Sequence, residues 1–202
     1  MGPKKLIFDG IPWKRLKCTK KQLRLDIVLK CGQSFRWEEV PENSKGGKSW
    51  IGVLRSKVWQ LAQEESHILY RTITSIKDNV GETIDDEETI LNDYFQLQVD
   101  LEPLYQKWSK NDPFFEKISE DFGGVRILRQ DPVENLFSFI CSANNNIQRI
   151  SGMVSNLCVN YGRQIATSDD HEKTYFAFPE IATLASEDSL ESHLRFAYIA
   201  FY

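Results

Sequence analysis

Few of the residues able to do chemistry stand in a pattern that announces a reaction. Each of the 3 histidines, His67, His171 and His193, stands alone, and a solitary histidine is far more often surface or structural than catalytic. The 4 cysteines, Cys18, Cys31, Cys141 and Cys158, form no Cys-x-x-Cys pair and show no zinc-ligand spacing with the histidines. There is no phosphate-binding glycine loop, dinucleotide fingerprint or Ser-His-Asp ordering of known type. Two segments do crowd hydrogen-bonding groups together. Cys31-Gly-Gln-Ser-Phe-Arg-Trp37 puts a glycine just before a strand-like run. Such a glycine lets backbone approach a ligand closely, but a turn or a helix C-cap explains it more simply. Asn144-Asn145-Asn146 offers three amides at the head of a helical pattern, where an Asx cap is again the simpler account.

These segments are embedded in two kinds of pattern. Residues 34–40, 49–54, 58–62 and 67–73 are rich in aromatic and β-branched side chains and read as strands. Turn chemistry with Gly46-Gly47 fills 41–48, and 55–57 is short enough for a hairpin, so an antiparallel meander is expected, with one face for another element to cover. From about Asp85 the period becomes helical: Ile90, Leu91, Tyr94, Phe95 and Leu97 share a face. Residues 104–108 form a short helix, Asp112-Pro113 opens another through Phe114, Phe115 and Ile118, and Gly123-Gly124 ends it. Asp131-Pro132-Val133-Glu134 supplies an N-cap acid, a proline at the first helical position and a glutamate at the capping-box position. Val133, Leu136, Phe137 and Ile140 then repeat at helical spacing. A second helix carries Ile147, Ile150, Met153, Val154, Leu157, Cys158 and Tyr161 on one face, and Gly162 stops it. The expected class is α+β: an antiparallel twisted sheet with flanking helices over 1–124, then an incomplete all-α domain over 125–202.

Bulk properties set the limits. A hydrophobic content of 41% with 12 Phe, 7 Tyr and 5 Trp is enough to pack a core and argues against wholesale disorder. The net charge of −4 argues, on average, against a nucleic-acid partner. The average hides an asymmetry. The first thirty or so residues are lysine-rich and 78–102 is acidic, which permits a basic face, although an uneven solvated surface is the more ordinary explanation. Leu6, Ile7 and Phe8 are followed at once by Asp9 and Gly10, so no secretory h-region forms, and no run approaches a membrane span. Apolar surroundings for Cys141 and Cys158 suggest buried free thiols. A soluble intracellular protein without membrane association is expected.

Gly32-Gln-Ser-Phe-Arg-Trp37 and the long run from Leu128 to Met153, through Arg-Gln-Asp-Pro-Val-Glu-Asn-Leu-Phe-Ser-Phe-Ile-Cys-Ser-Ala-Asn-Asn-Asn-Ile-Gln-Arg-Ile-Ser-Gly, resemble eukaryotic 8-oxoguanine DNA glycosylases. The likeness extends from about Pro12 to Arg195. It implies a sheet domain packed on a helical domain with a helix-hairpin-helix motif, and excision of 8-oxoguanine opposite cytosine with apurinic-site lyase activity. It also implies roles. Gly32 matches the glycine whose carbonyl accepts the N7 hydrogen that 8-oxoguanine has and guanine lacks. Asn144 and Arg149 match residues that bond the cytosine left unpaired. The implied partner is double-stranded DNA carrying 8-oxoguanine opposite cytosine. The implied protein is a monomer, without cofactor or metal, in the nucleus, with the mitochondrion as the alternative.

The departures bear on activity. The family's nucleophile is a lysine in a helix-hairpin-helix segment, assisted by an aspartate, and a lysine amine can displace the base and form a Schiff base. No Leu-Pro-Gly-Val-Gly-type hairpin occurs here. After Lys110 the only lysines are Lys117 and Lys173, neither in such a context. The resemblance stops at His193-Leu-Arg195, and the apolar stretch 196–202 departs from it. The expectation is a shortened form, inactive alone, with no catalytic residue among these 202. The alternative is a non-catalytic form that binds DNA or a repair partner.

Overall fold

The computed structural model describes residues 8, 10–41, 48–74, 86–168 and 173–186. The turn expected at 41–48 lies almost wholly outside the described residues, as do His171, His193 and 196–202. Five strands form one antiparallel sheet: β1 (Lys14–Lys17), β2 (Glu38–Pro41), β3 (Lys48–Leu54), β4 (Lys57–Gln63) and β5 (His67–Thr74), in the order β1-β5-β4-β3-β2. The four later strands make the expected meander. β1 was not foreseen, and it adds to the outer edge of β5 with Leu16 opposite Ile68. Only Leu16 of its four side chains is buried. Exposed cations along an edge strand discourage pairing with another chain, and they also hide the strand from a hydrophobicity pattern. The lysine-rich start is balanced at close range, by Lys14 with Glu87, Arg15 with Glu64 and Lys20 with Glu65, which favours the solvated-surface explanation.

Both faces of the central strands are covered. Trp50, Trp59, Leu61, Ile68 and Tyr70 point to one side, where α1 (Leu25–Val28) and α2 (Glu87–Tyr94) bury Leu25, Val28, Ile90, Leu91 and Tyr94 against them. Ile51, Val53 and Val58 point to the other side, against Phe8, Ile165 and Ala177. Ile165 belongs to an unforeseen hairpin, β6 (Gln164–Thr167) with β7 (Thr174–Phe176), inside the segment read as helical. Strands of four and three residues are too short for their alternation to stand out. Gly162, between α6 (Ile147–Tyr161) and this hairpin, ends the helix as expected, but with φ −84 it is not a left-handed turn that calls for glycine there. Its missing side chain matters for another reason: a Cβ there would lie 2.1 Å from Ala177 O.

Helices α3 (Leu101–Asn111) and α4 (Pro113–Ser119) pack on each other through Tyr105, Trp108 and Phe115. Asp112 caps α4 by accepting from Phe114 N and Phe115 N. α5 (Pro132–Ser142) and α6 form the expected pair, with Cys141, Ile150, Met153, Val154, Leu157 and Cys158 buried between them and Phe35, Phe137 and Phe176 alongside. The face expected of α5 is corrected in part. Phe137 packs, but Leu136 and Ile140 are 60% and 61% exposed. The helix is apolar on more than one side, and α6 covers only one of them. A short α7 (Ile181–Ser186) follows β7. Among the described residues, no helix is long and apolar enough to cross a membrane.

Candidate functional site

The residues expected to form a site are more than a hundred positions apart, and the fold brings them to one end of α6. After α1 the chain keeps helical bonding for three more residues, with Leu29 N donating to Leu25 O at 3.2 Å and both Lys30 N and Cys31 N donating to Ile27 O at 3.0 Å. Gly32 then takes φ +83, a left-handed conformation that costs other residues about 1–2 kcal/mol. The turn reading is therefore satisfied. The turn also delivers the half-buried Gly32 against the first residue of α6, where a Cβ would stand 3.7 Å from Ile147 Cδ1.

The three asparagines divide the work between them. Asn146 is the cap: its side-chain oxygen accepts from Arg149 N at 3.0 Å. Asn145 clamps the α5–α6 turn, its Nδ2 donating to Cys141 O at 2.9 Å while its Oδ1 accepts from Asn146 N at 2.9 Å. Asn144 is exposed, with φ +50, at the apex of the turn. The capping account thus belongs to Asn146 and leaves Asn144 at the surface. Arg149 stands on the first turn of α6, which carries no acidic residue. A cation added to the positive end of a helix of this length favours an anion there.

The segment expected to be a strand at 34–40 pairs only from Glu38 onward. The reason is that the preceding side chains are committed in other directions. Gln33 reaches the backbone of Arg126 and Leu128. Phe35 enters the α5–α6 cluster. Arg36 Nη1 donates to Glu134 Oε2 at 3.2 Å, and its Nη2 donates to Phe176 O. Trp37 lies over Gly52 of β3, and its Nε1 donates to Tyr94 OH at 3.0 Å. One hexapeptide therefore bridges the sheet, α2, α5 and β7.

Glu134 was expected to close a capping box. Asp131 does cap α5, accepting from Val133 N and Glu134 N at 2.9 Å. The Glu134 carboxylate goes instead to Arg36, in a pair whose side chains are 10% (Arg36) and 18% (Glu134) exposed. Burial raises the Glu134 carboxyl above its ordinary value, and this outweighs the pull of Arg36.

Arg126 is the other buried cation that the sequence did not flag. Its guanidinium donates to Gln96 O at 2.7 Å, to Val99 O and Gln22 Oε1 at 2.8 Å, and to Gln22 O. Burial lowers its pKa. Side chains such as Arg36, Glu134 and Arg126 follow no period, and their partners lie up to 140 residues away. A single sequence carries no signal for them.

The three buried thiols show no activation. Burial pushes Cys18 and Cys158 up to about 11 and raises Cys141 as well, consistent with inert buried groups. Cys31 is exposed. Lys117 lies on α4, and Lys173 is bonded to Glu38. Among the described residues, no group of three or more His, Cys, Asp or Glu side chains is placed to hold a metal ion.

Comparison with known proteins adds three findings. Residues 15–136 match the family described as 8-oxoguanine DNA glycosylase, N-terminal domain. The chain is 38% identical over 195 residues to an N-glycosylase/DNA lyase of Saccharomyces cerevisiae, an alignment covering 93% of this chain and 50% of that protein. It spans about half the length of the curated relatives it matches. Among solved structures it is similar to MBOgg1 in complex with a low affinity DNA ligand, with TM-score 0.73 and 28% identity over 94% of this chain and 58% of that one. It is also similar to the Clostridium acetobutylicum 8-oxoguanine glycosylase/lyase in complex with double-stranded DNA containing cytosine opposite 8-oxoguanine. There the TM-score is 0.66 at 26% identity, covering 90% of this chain and 61% of that one.

Proposed function

The chain belongs to the family of the 8-oxoguanine DNA glycosylase N-terminal domain, and on that premise we propose that it forms the part of a glycosylase/lyase that reads the lesion and its partner base. Gly32 presents its carbonyl to the base. Position N7 is an acceptor in guanine and a donor in 8-oxoguanine, so one fixed carbonyl attracts the second and repels the first. A base flipped out of the stack can meet that carbonyl at close range because glycine has no side chain. Asn144 and Arg149 face the cytosine left behind, which offers acceptors at O2 and N3. The α6 N-terminus favours phosphate beside them. The observation that carries this reading is the seating of Gly32 against Ile147, which brings the carbonyl's turn to the helix end that follows Asn144 and bears Arg149.

On this reading the division lies near 124/125, and the protein acts as a monomer on duplex DNA in the nucleus, with the mitochondrion as the alternative. No lysine of the 202 sits in a helix-hairpin-helix context, so no catalytic residue is assigned. The test is a pair of measurements on the 202-residue polypeptide. Borohydride treatment with an 8-oxoguanine:cytosine duplex is expected to give no covalent adduct. Asn144→Ala and Arg149→Ala are each expected to weaken binding to that duplex by about 2–10-fold, the worth of one or two hydrogen bonds. Adenine opposite the lesion should largely remove this difference. Unchanged binding to the cytosine duplex would refute the assigned contacts.

A further inference from the structure

A carbonyl can discriminate only if its direction is fixed, and a left-handed glycine leaves the backbone free to turn. The Gly32 carbonyl and the Gln33 N–H share one planar peptide, so whatever holds Gln33 limits the rotation of that plane. Gln33 is held at four points, one of them its Nε2 contact to Cys31 Sγ at 3.3 Å. Its Nε2 donates to Arg126 O at 2.8 Å, and its Oε1 accepts from Leu128 N at 2.9 Å, much as a neighbouring strand would pair. Its main-chain carbonyl accepts from Gln130 Nε2, which also donates to Asn135 Oδ1 at 3.2 Å. The stretch that receives Gln33 is itself anchored, because the Arg126 guanidinium is bound to Gln22, Gln96 and Val99.

We propose that Gln33 and Gln130 are positioning residues that aim the Gly32 carbonyl, and so set the selectivity for 8-oxoguanine over guanine. The inference rests on the assignment of Gly32 made above. The partner-base residues are held by different groups, Asn145 and Asn146 within the α5–α6 turn. The two selectivities are therefore separable, and a general loss of structure would not separate them.

The test uses the full 202-residue chain and fluorescence anisotropy with three duplexes: 8-oxoguanine:cytosine, guanine:cytosine and 8-oxoguanine:adenine. Lesion selectivity is the ratio of Kd for the second duplex to the first, and partner selectivity the ratio of the third to the first. Gln33→Met fills similar space without the amide bonds. It is expected to bring lesion selectivity to about one while partner selectivity stays within about twofold of the unsubstituted chain. Gln130→Leu leaves the Gln33 amide bonds in place and is expected to lower lesion selectivity part of the way. It also decides the matter if Gln33→Met fails to fold. Wild-type lesion selectivity in both variants would overturn the proposal. So would a parallel fall in both ratios with a lowered Tm, which marks a general structural role. An unsubstituted chain that binds the first two duplexes equally would overturn the Gly32 assignment and the proposal with it, before any substitution is made.

Discussion

Arg36→Met is expected to destabilise the chain by about 3–5 kcal/mol, because it leaves the Glu134 carboxylate buried without its counter-charge. For a chain of this size that corresponds to a fall in Tm of roughly 6–20 °C, read by calorimetry. The Phe176 carbonyl loses its donor as well. Replacing both partners, as Arg36→Met with Glu134→Leu, is expected to recover most of the loss, since no charge then remains to be desolvated. The pair also imposes a pH dependence. The folded Glu134 pKa lies above the ordinary value of 4.5 because burial opposes ionisation. A raised folded pKa means that the native state holds the proton more tightly than the unfolded chain does. Its contribution to stability is thus fully present below about 4.5 and is lost as pH rises through the folded value. Glu134→Gln should flatten that part of the stability profile.

Arg126→Met carries the second large expected effect. The substitution strips the donor from the carbonyls of Gln22, Gln96 and Val99 and from the Gln22 side chain. Hydrogen bonds to charged groups contribute about 1.5–3 kcal/mol each, offset here by relief of the cation's own burial, so a net loss of at least about 3 kcal/mol is expected in a denaturant titration. Arg126→Lys should fall between, because a single ammonium cannot reach acceptors spread around a planar guanidinium. Amide exchange at Leu128 should quicken with the methionine variant. That amide donates to Gln33, and the stretch holding it would no longer be anchored.

Much of the fold could be read from side-chain pattern. β3, β4 and β5 followed from runs such as Ser49-Trp-Ile-Gly-Val-Leu54, and the caps at Asp112 and Asp131 from acid-proline pairs. What escaped was short or charged. β1 exposes three of its four side chains, and β6 and β7 are too brief for a period to register. The site divided along a similar line. The positions proposed to face the ligand, Gly32, Asn144 and Arg149, were reached through likeness to a family, and the residues that fix the elements around Gly32 were not. Gln33, Arg36, Arg126, Gln130 and Glu134 act through bonds to elements distant in sequence. Their residue types alone do not distinguish them from any solvated polar side chain.

We propose that this chain reads an oxidised guanine through one backbone carbonyl. A direct competition in anisotropy, with labelled 8-oxoguanine:cytosine duplex displaced by unlabelled duplexes at fixed salt, measures it. Fixed salt matters because phosphate contacts weaken as salt rises whatever the base. A single hydrogen bond won or lost in water-accessible surroundings is worth about 0.5–1.5 kcal/mol, so the lesion duplex is expected to compete about 2–10-fold better than its guanine counterpart. Equal competition by the two duplexes would contradict the account.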